Sequence, residues 1–569
     1  MMPQPRTDWE SLKSYSRAKS ATPVGWKLDG NEGVGPSDEW AQAAMEGAQV
    51  ALSEYPRAAS LEEKLAACYG RKASEVLVTA GADEGLDRLC RAYLEPGRNA
   101  VIPAPCFEMM PRYVALARGE LRSPAWPLGA SPVKSILEAC DQKTGLVIIA
   151  TPNNPTGSVL SLEEIVRLAE GLPQTLIVID LAYVEYADSD PTTALREFAN
   201  VVCLRTFSKA WGLASLRVGF VLGEADIIDV LKRAGGPFAV AGLSMALAGK
   251  RLQESEELQA QVRQVRVERN QLFEQGKRLG LRAWPSEANF VFFEGARVKW
   301  LHDSLAGFGI AARLFTSPNG ASLRITCPGE PQGMKLLSRA IECALAPPAI
   351  LFDLDGVLAD VSRSYRRAIV ETAAEYGVAL SANAISRRKA LGNANDDWEL
   401  TRELLADNGV LIAREEVIGE FERRYQGQTG QPGLYEGERL LFTKERLVAL
   451  ASICPLGIVT GRPRKDMQRF LEQFDLGDVF RICVAREDAA QLKPSPAPIE
   501  VALGQLGVDS AWYLGDTPDD MQAARAAQCL PIGVIAAGED RENSSSVLLK
   551  AGAGTVLDMA SEIEEVLSC

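Results

Sequence analysis

Short apolar runs alternate with helical stretches through the first half of the chain. The runs that predict strands lie at 75–78, 100–102, 146–149, 176–179, 201–204 and 218–222. Apolar runs of this length, separated by helical patterns, are typical of a parallel sheet wound with helices. The pattern therefore predicts an α/β large domain over about 30–250.

Polar periodicity marks the helices around this sheet. Ser-Leu-Glu-Glu occurs at Ser60 and again at Ser161, and each copy fits a capping box that begins a helix. Residues 254–279 have apolar positions at helical spacing, and 332–345 form an amphipathic segment. We expect these stretches to belong to a small α+β subdomain built from about 1–29 and 251–345.

The second half opens after a proline-stiffened linker at 346–348 and is predicted to form a second domain over 349–569. Its apolar runs at 349–352, 456–459 and 512–514 end in Asp353, in Thr460 and in Gly515-Asp516, respectively. Buried parallel strands read as continuous apolar runs, and such sheets bind ligands at their carboxyl ends. The region at about 361–449 has a helical pattern and is expected to form a cap over that edge.

Composition narrows the classes of partner. The net charge of −14 argues against nucleic-acid backbones and anionic membranes as partners. The 11 cysteines include no CxxC pair, so a reducing cytoplasm is expected, and neither a secretory signal nor a membrane span is expected. His302 is the chain's single histidine, interpreted as a surface helix residue, so Asp, Lys and Tyr must carry acid–base chemistry.

Lys209 follows a predicted strand and stands eight residues before Arg217, while Asp180 ends the preceding strand. With four further motifs in order, these segments resemble the fold-type I pyridoxal-phosphate aminotransferases, and specifically the histidinol-phosphate aminotransferase family, from about Asp8 to Leu345. The motifs are Leu28-Asp29-Gly30-Asn31-Glu32, Gly81-Ala82-Asp83-Glu84-Gly85, Asn153-Asn154-Pro155-Thr156-Gly157 and Ser322-Leu323-Arg324-Ile325-Thr326.

The resemblance implies a role for each matching residue. Lys209 would hold pyridoxal 5'-phosphate and move the substrate proton, and Asp180 would keep the ring nitrogen protonated. The remaining cofactor contacts would be Asn154 and Tyr183 at the ring hydroxyl, Phe107 on the ring face, and Ala82, Asp83, Ser208 and Arg217 at the phosphate.

The resemblance also implies a homodimer and a substrate-anion site. Tyr55 would reach the cofactor phosphate of a neighbouring subunit. Arg324 and Arg313 would bind a substrate phosphate or the carboxylate of glutamate, with Tyr15 and Asn289 near the same pocket. Leu181 and the 106–110 segment depart from the family pattern, which leaves the amino donor and acceptor pair open.

In the second half, Asp353 and Asp355 lie two residues apart at a strand end, followed by Thr460, Lys493, Asp516 and Asp520. This set resembles the haloacid dehalogenase superfamily over about 349–569, with a Rossmann-like fold. A carboxylate nucleophile repels a phosphate ester, so the site needs a cation between them, and magnesium suits oxygen ligands. Side chains of Asp353 and Asp516 and the carbonyl of Asp355 would bind it.

The remaining roles follow the chemistry of phosphate esters. Asp353 would attack phosphorus, and Asp355 would protonate the leaving oxygen and later activate water. Thr460 and Lys493 would bind the phosphoryl oxygens, and Asp520 would orient the metal ligands. Arg363, Arg366 and Arg367 follow the nucleophile and could reach the substrate, although a solvated helix face is favoured for most of them.

Both halves handle phosphate, so consecutive steps on one metabolite are expected. The hypothesis is a bifunctional enzyme of histidine biosynthesis that makes histidinol phosphate using glutamate and then removes its phosphate. Three alternatives stay open. They are a transaminase and phosphatase pair for phosphoserine, a threonine-phosphate decarboxylase-like domain with an unrelated phosphatase, and one domain kept as a binding or regulatory module.

Overall fold

The computed structural model describes residues 20–48, 50–318, 320–392 and 396–568. The strands are β1 (Trp26–Lys27), β2 (Val76–Thr79), β3 (Asn99–Val101), β4 (Glu120–Arg122), β5 (Thr144–Ala150), β6 (Leu176–Asp180), β7 (Val201–Thr206), β8 (Gly219–Leu222), β9 (Arg282–Trp284), β10 (Phe290–Glu294), β11 (Ile310–Ala311), β12 (Arg313–Ser317), β13 (Gly320–Thr326), β14 (Ile350–Phe352), β15 (Ala359–Asp360), β16 (Arg439–Leu440), β17 (Leu456–Val459), β18 (Ile482–Val484), β19 (Trp512–Gly515), β20 (Leu530–Val534) and β21 (Thr555–Leu557).

The helices accompany these strands along the chain. They are α1 (Asp38–Glu46), α2 (Ala59–Tyr69), α3 (Gly81–Tyr93), α4 (Met109–Leu116), α5 (Val133–Ala139), α6 (Leu162–Gly171), α7 (Ala225–Ala234), α8 (Gly242–Arg251), α9 (Ser255–Arg278), α10 (Val298–Gly307), α11 (Pro331–Leu345), α12 (Tyr365–Glu375), α13 (Ala382–Lys389), α14 (Asp397–Asp407), α15 (Arg414–Gln426), α16 (Lys444–Ala451), α17 (Arg464–Gln473), α18 (Ala497–Leu506), α19 (Pro518–Ala526), α20 (Arg541–Ala551) and α21 (Ile563–Ser568). Within the described ranges, none of them combines the length and the apolar character needed to cross a bilayer.

The chain forms two compact units. Of the described residues, unit 1 contains Leu28–Gly295 and Ser322–Lys335, and unit 2 contains 20–27, Ala296–Ala321 and 336–568. Each unit is built around its own wound sheet, and the two sheets place the side chains considered below.

The central sheet of unit 1 has the strand order β2-β8-β7-β6-β5-β3-β4. Its strands run parallel except β8, which is antiparallel to both β2 and β7. Strands β5, β6 and β7 are buried along their whole length, because helices cover both faces of a parallel sheet. The six predicted strands are present at shifts of one or two residues.

Unit 2 holds a six-stranded parallel sheet in the order β18-β17-β14-β19-β20-β21. A large apolar core packs against it, and the helices α12 to α15 follow within residues 365–426. A short antiparallel ribbon, β15 with β16, stands on either side of this helical segment in sequence. The predicted α/β class is therefore confirmed in both units.

Part of unit 2 comes from residues before the second sheet. Trp300 on α10 packs against Trp512 of β19 with ring centroids 5.1 Å apart. The indole N–H groups of Trp300 and Trp512 donate to the carbonyls of Ala344 and Cys343, each at 2.7 Å. A fragment that begins at residue 349 would lack Trp300 and Cys343 and would therefore expose part of the buried Trp512.

Of the two predicted capping boxes, one is confirmed and one is wrong. Ser161 caps α6, with its Oγ accepting from the Glu164 N–H at 3.3 Å and Glu164 returning a bond to the Ser161 N–H at 2.8 Å. By contrast, α2 begins after Ala58, so Ser60 lies inside its first turn. The carboxylate of Glu62 instead accepts from the backbone N–H of Val78, at 3.1 Å, which ties the helix to β2.

Ser161→Ala tests this difference, because it removes the side-chain acceptor of the Glu164 backbone N–H. We expect the free energy of unfolding of unit 1 to fall by about 1 kcal/mol, measured from urea unfolding curves. Ser60→Ala is the matched control, another exposed serine near a helix start, and should change stability by less than about 0.5 kcal/mol. Equal losses in the two variants would contradict the assignment.

Candidate active sites

The first site lies at the carboxyl ends of β5, β6 and β7. Asp180 is the last residue of β6 and is buried, with Oδ1 accepting from the Ala182 N–H at 3.0 Å. Burial, with a smaller contribution from Asp83, raises the pKa of Asp180 to about 7, although the Ala182 N–H and the Lys209 ammonium both lower it. Lys209, just past β7, donates from Nζ to the carbonyl of Gly30 at 3.1 Å.

The segment 29–31 connects four of the predicted residues. Asn31 Nδ2 donates to the Tyr183 hydroxyl at 3.0 Å, and the Tyr183 ring centroid lies 5.5 Å from Lys209 Nζ. Arg324 donates to the side-chain oxygen of Asn154 and, at 2.5 Å, to the carbonyl of Asp29. These bonds gather the predicted cofactor and anion residues at one edge of the sheet.

Asn289 also joins this edge. Its Nδ2 donates to the carbonyl of Asn31 at 3.3 Å, whereas its buried Oδ1 has no hydrogen-bond partner among the described residues. A buried acceptor without a partner costs free energy unless a ligand supplies a donor. The described residues therefore hold the Nδ2 group of Asn289 and leave its Oδ1 without a donor.

A cradle for an anion forms where α3 begins. Arg217 adopts a left-handed backbone conformation with φ 53° and donates to Ser208 Oγ at 3.3 Å and to Asp83 Oδ2 at 3.2 Å. Gly81 has φ +79°, where any other residue would be strained, and a Cβ there would lie 2.6 Å from Arg217 Nη2 and would push this group aside. Helix N-termini with a nearby guanidinium suit phosphate, and Ala82 stands in this turn.

The remaining predicted residues of the first half have different surroundings or lie outside the described residues. Phe107 is half-buried against the core of the central sheet. Tyr55 is 78% exposed and stacks on Phe238 with centroids 4.7 Å apart. Arg313 belongs to unit 2, where its guanidinium lies 5.8 Å from the Phe315 ring. Tyr15 falls outside the described residues.

The second site is a cluster of carboxylates at the carboxyl edge of the unit 2 sheet. Oxygens of Asp353, Asp516 and Asp520 all lie within 4.8 Å of one another. Gly356, with φ +75°, allows this approach, since a Cβ would stand 2.2 Å from Asp516 Oδ2. Asp520 is held by Thr517, whose N–H and hydroxyl donate to its Oδ2 at 3.0 and 2.6 Å.

Lys493 is buried among these acids. Its Nζ lies 2.6 Å from Asp520 Oδ1, 2.9 Å from Asp353 Oδ1 and 3.0 Å from the Tyr513 hydroxyl. Burial alone would lower the pKa of Lys493, but Asp353 and Asp520 raise it well above its usual value. The lysine is therefore held as a cation at the centre of the cluster.

For the acids, burial destabilises the charged form, and the neighbouring carboxylates add to this effect. Burial raises the pKa of Asp353, with Lys493 opposing this shift and Asp520 adding to it. Burial also raises the pKa of Asp516, and repulsion from Asp520 and Asp353 raises it further. Carboxylates clustered in this way are the ligand set that a divalent cation with oxygen preference requires, and the residues present fit magnesium.

The other two predicted residues are Thr460 and Asp355. Thr460 follows β17 and is buried, and its Oγ1 accepts from the Arg462 N–H at 3.2 Å. Asp355 lines the same pocket as Asp353 and Asp516, and its Oδ1 accepts from Arg462 Nε at 2.6 Å. The structure therefore brings all six predicted residues of this half together.

Sequence reasoning missed several residues that line this pocket. They are Lys389, Trp398, Arg462 and Arg486. Arg462 had a local signal, because it stands two residues beyond Thr460 at a strand end, whereas the others come from distant elements. Arg366 lines the pocket and pairs with Glu539 at 2.5 Å, and Arg367 pairs with Glu371 on the helix surface.

Comparison with known proteins divides the chain in the same way. Residues 27–341 match the family model for aminotransferase class I and II, and residues 350–534 match that for haloacid dehalogenase-like hydrolase. The chain is thus an enzyme in which an aminotransferase is fused to a hydrolase of that class. This confirms the two resemblances seen in the sequence.

Relatives of the first half define it further. Histidinol-phosphate aminotransferase of Geobacillus thermodenitrificans is 34% identical over 275 residues, 47% of this chain and 75% of that protein. The chain belongs to the histidinol-phosphate aminotransferase family. A solved histidinol-phosphate aminotransferase from Sinorhizobium meliloti, in complex with pyridoxal-5'-phosphate, shares the fold, with a TM-score of 0.56, 24% identity, and coverage of 61% of this chain and 98% of that one.

Another relative matches a smaller part of this chain. A protein of Phytophthora nicotianae, named imidazoleglycerol-phosphate dehydratase, is 41% identical over 235 residues. These residues are 37% of this chain and 52% of that protein, so the chain spans about half its length.

Gly81→Ala tests the anion cradle in unit 1. A methyl group 2.6 Å from Arg217 Nη2 would displace the guanidinium. Because a hydrogen bond to a charged group contributes about 1.5–3 kcal/mol, the dissociation constant of pyridoxal 5'-phosphate should rise at least about tenfold. Equilibrium dialysis of the apoprotein measures it.

Gly280→Ala is the control, since Gly280 has φ +83° but nothing within 4 Å of its Cβ position. It imposes a similar backbone cost without touching Arg217. Equal cofactor affinity in the two variants would contradict the assignment of the cradle.

Proposed function

We propose that this chain converts imidazole-acetol phosphate and glutamate into histidinol phosphate and 2-oxoglutarate, and then hydrolyses histidinol phosphate to histidinol and phosphate. The observation that supports the proposal is that one chain joins a half of the histidinol-phosphate aminotransferase family to a haloacid dehalogenase-like hydrolase half. An amine made as a phosphate ester in one half is a substrate for the other.

The residues of unit 1 fit pyridoxal 5'-phosphate. Its bound ring would act as an electron sink that acidifies the substrate carbon. Lys209 would hold the cofactor and carry the proton to and from that carbon, and Asp180 would keep the ring nitrogen protonated. A buried carboxylate with a raised pKa beside a lysine is consistent with this pairing, because a cation placed against Asp180 would stabilise its ionised form.

Polar contacts would orient the ring and its phosphate. Tyr183 and Asn154 would donate to the ring hydroxyl oxygen, and Phe107 would cover the ring face. Ser208, Arg217 and the N–H groups of Ala82 and Asp83 would bind the phosphate, as the close approach of Arg217 to Gly81 supports.

The substrate anion would bind to arginine. Arg324 already lies against Asn154 and the Asp29 carbonyl, so its guanidinium is fixed beside the proposed ring position. Arg313 and Tyr15 would complete the anion site. Asn289 Oδ1, which has no hydrogen-bond partner among the described residues, would accept a donor from the bound ligand. Guanidinium suits both the phosphate of one substrate and the carboxylate of the other.

In unit 2, Asp353 would attack phosphorus. Magnesium, held by Asp353, Asp516 and the Asp355 carbonyl, would offset the repulsion between nucleophile and phosphate. A bond forms between Asp353 and phosphorus while the ester P–O bond breaks, and Asp355 gives its proton to the leaving oxygen. Water then loses a proton to Asp355 and attacks phosphorus, which releases phosphate and restores Asp353.

Thr460 and Lys493 would bind the transferring oxygens during both steps. The position of Lys493, 2.9 Å from Asp353, supports this role. Asp520 would hold Lys493 and the metal ligands in place, since its oxygens already accept bonds from Thr517 and Lys493.

A homodimer in a reducing cytoplasm is the proposed working form. Leu52, Tyr55 and Phe238 are exposed, and Val50, Tyr55 and Met245 line an apolar groove. A second copy of the chain would cover these apolar residues and the groove. Tyr55 would then reach the partner's cofactor phosphate. Every cysteine in the described part of the chain is free, as expected in a reducing compartment.

Lys209→Ala and Asp353→Asn separate the two activities. Each should lower one activity by more than about 1000-fold, because each removes the group that forms a covalent bond in its site, and leave the other unchanged. Release of 2-oxoglutarate and of phosphate is measured with imidazole-acetol phosphate, and in parallel with phosphohydroxypyruvate, phosphoserine and threonine phosphate. Loss of both activities from one substitution would contradict independent sites, and preference for another substrate would overturn the proposed metabolite.

A further inference from the structure

Arg462 is a buried residue that lines the pocket of unit 2. Its side chain is 1% exposed, and Nε and Nη2 both face Asp355 Oδ1, with Nε at 2.6 Å. The guanidinium also lies 4.8 Å from the centroid of the Tyr365 ring and 5.5 Å from that of Phe470. Two aromatic rings and a carboxylate therefore hold the guanidinium in place.

A second carboxylate meets the same guanidinium. Glu438 is buried, and its Oε2 accepts from Arg462 Nη1 at 3.0 Å while its Oε1 accepts from the Tyr425 hydroxyl at 3.2 Å. Burying one arginine with two acids is costly unless each partner is well placed.

Asp355 and Glu438 both adjoin the ribbon formed by β15 and β16. Asp355 forms an isolated bridge with Ala359, the first residue of β15, and Glu438 immediately precedes β16. Strands β15 and β16 pair with each other on either side of the helical segment α12 to α15. Arg462 therefore ties Asp355 to the base of the ribbon from which the helical segment extends.

We propose that Arg462 is a positioning residue, which holds the Asp355 carboxylate for proton transfer and anchors it, through Glu438, to the base of the β15–β16 ribbon. This inference rests on the proposed phosphatase function. Arg462 acts on Asp355 and not on the phosphoryl group, which Thr460 and Lys493 bind.

Phosphate esters with different leaving groups should depend differently on the position of Asp355. An alkoxide needs the proton of Asp355 when the ester P–O bond breaks, whereas p-nitrophenolate leaves without one. Both substrates need Asp355 to take a proton from water when the bond between Asp353 and phosphorus breaks. Misplacing Asp355 should therefore slow both half-reactions of an alkyl phosphate but only the second half-reaction of p-nitrophenyl phosphate.

Arg462→Gln in the full chain with magnesium tests this. We expect kcat for histidinol phosphate to fall by about 100-fold, the lower range of acid–base contributions, with KM changed less than about threefold. With p-nitrophenyl phosphate, a burst of about one p-nitrophenolate per site should precede slow turnover. Inhibition by inorganic phosphate and the transaminase rate should be unchanged.

Arg462→Lys keeps the charge but loses the two-pronged contact, so it should recover part of the kcat and show a smaller burst. Arg464→Gln is the control, because Arg464 pairs with Asp488 on the surface two residues away and should behave as wild type.

Three results would overturn the inference. Equal losses on both substrates without a burst would show a structural role only, and a rise of tenfold or more in the inhibition constant for phosphate would make Arg462 a phosphate ligand. If wild type itself hydrolyses no phosphate monoester, the proposed phosphatase function fails first.

Discussion

A buried aspartate opposed by a lysine at the carboxyl edge of a parallel sheet is the constraint on which both sites depend. Asp180 with Lys209 and Asp353 with Lys493 repeat this arrangement in the two units. Burial destabilises each carboxylate, and the neighbouring cation offsets only part of that cost. Both sites thus hold an acid that a further positive group, on a cofactor ring or a metal, would stabilise.

The crowding of charged groups at these sheet edges also favours glycine at two nearby positions. Gly81 leaves room for Arg217, and Gly356 leaves room for Asp516, because in each case a Cβ would lie within 2.6 Å of a charged group. The close approach of charged groups at both sites therefore also requires glycine in the nearby backbone. Residues of α10 pack on the unit 2 sheet through Trp300, so the second site is supported by chain that precedes the predicted linker.

The sequence predicted the wound sheets and most of the site residues, because buried parallel strands are apolar throughout and their functional residues follow at the strand ends. It failed where several signals compete. Ser60 has the residues of a capping box, but α2 begins earlier and Glu62 is used by Val78. Lys389 and Trp398 reach the pocket from helices whose placement depends on tertiary packing, which no local pattern contains.

The central claim is that the two sites act in order on one metabolite, so the phosphatase should require the amine and not the ketone. The direct measurement is phosphate release from imidazole-acetol phosphate by the full chain with magnesium, with and without glutamate. With glutamate, phosphate should appear after a lag that follows 2-oxoglutarate, and without glutamate it should be almost absent. Phosphate release at the same rate in both cases would contradict the account.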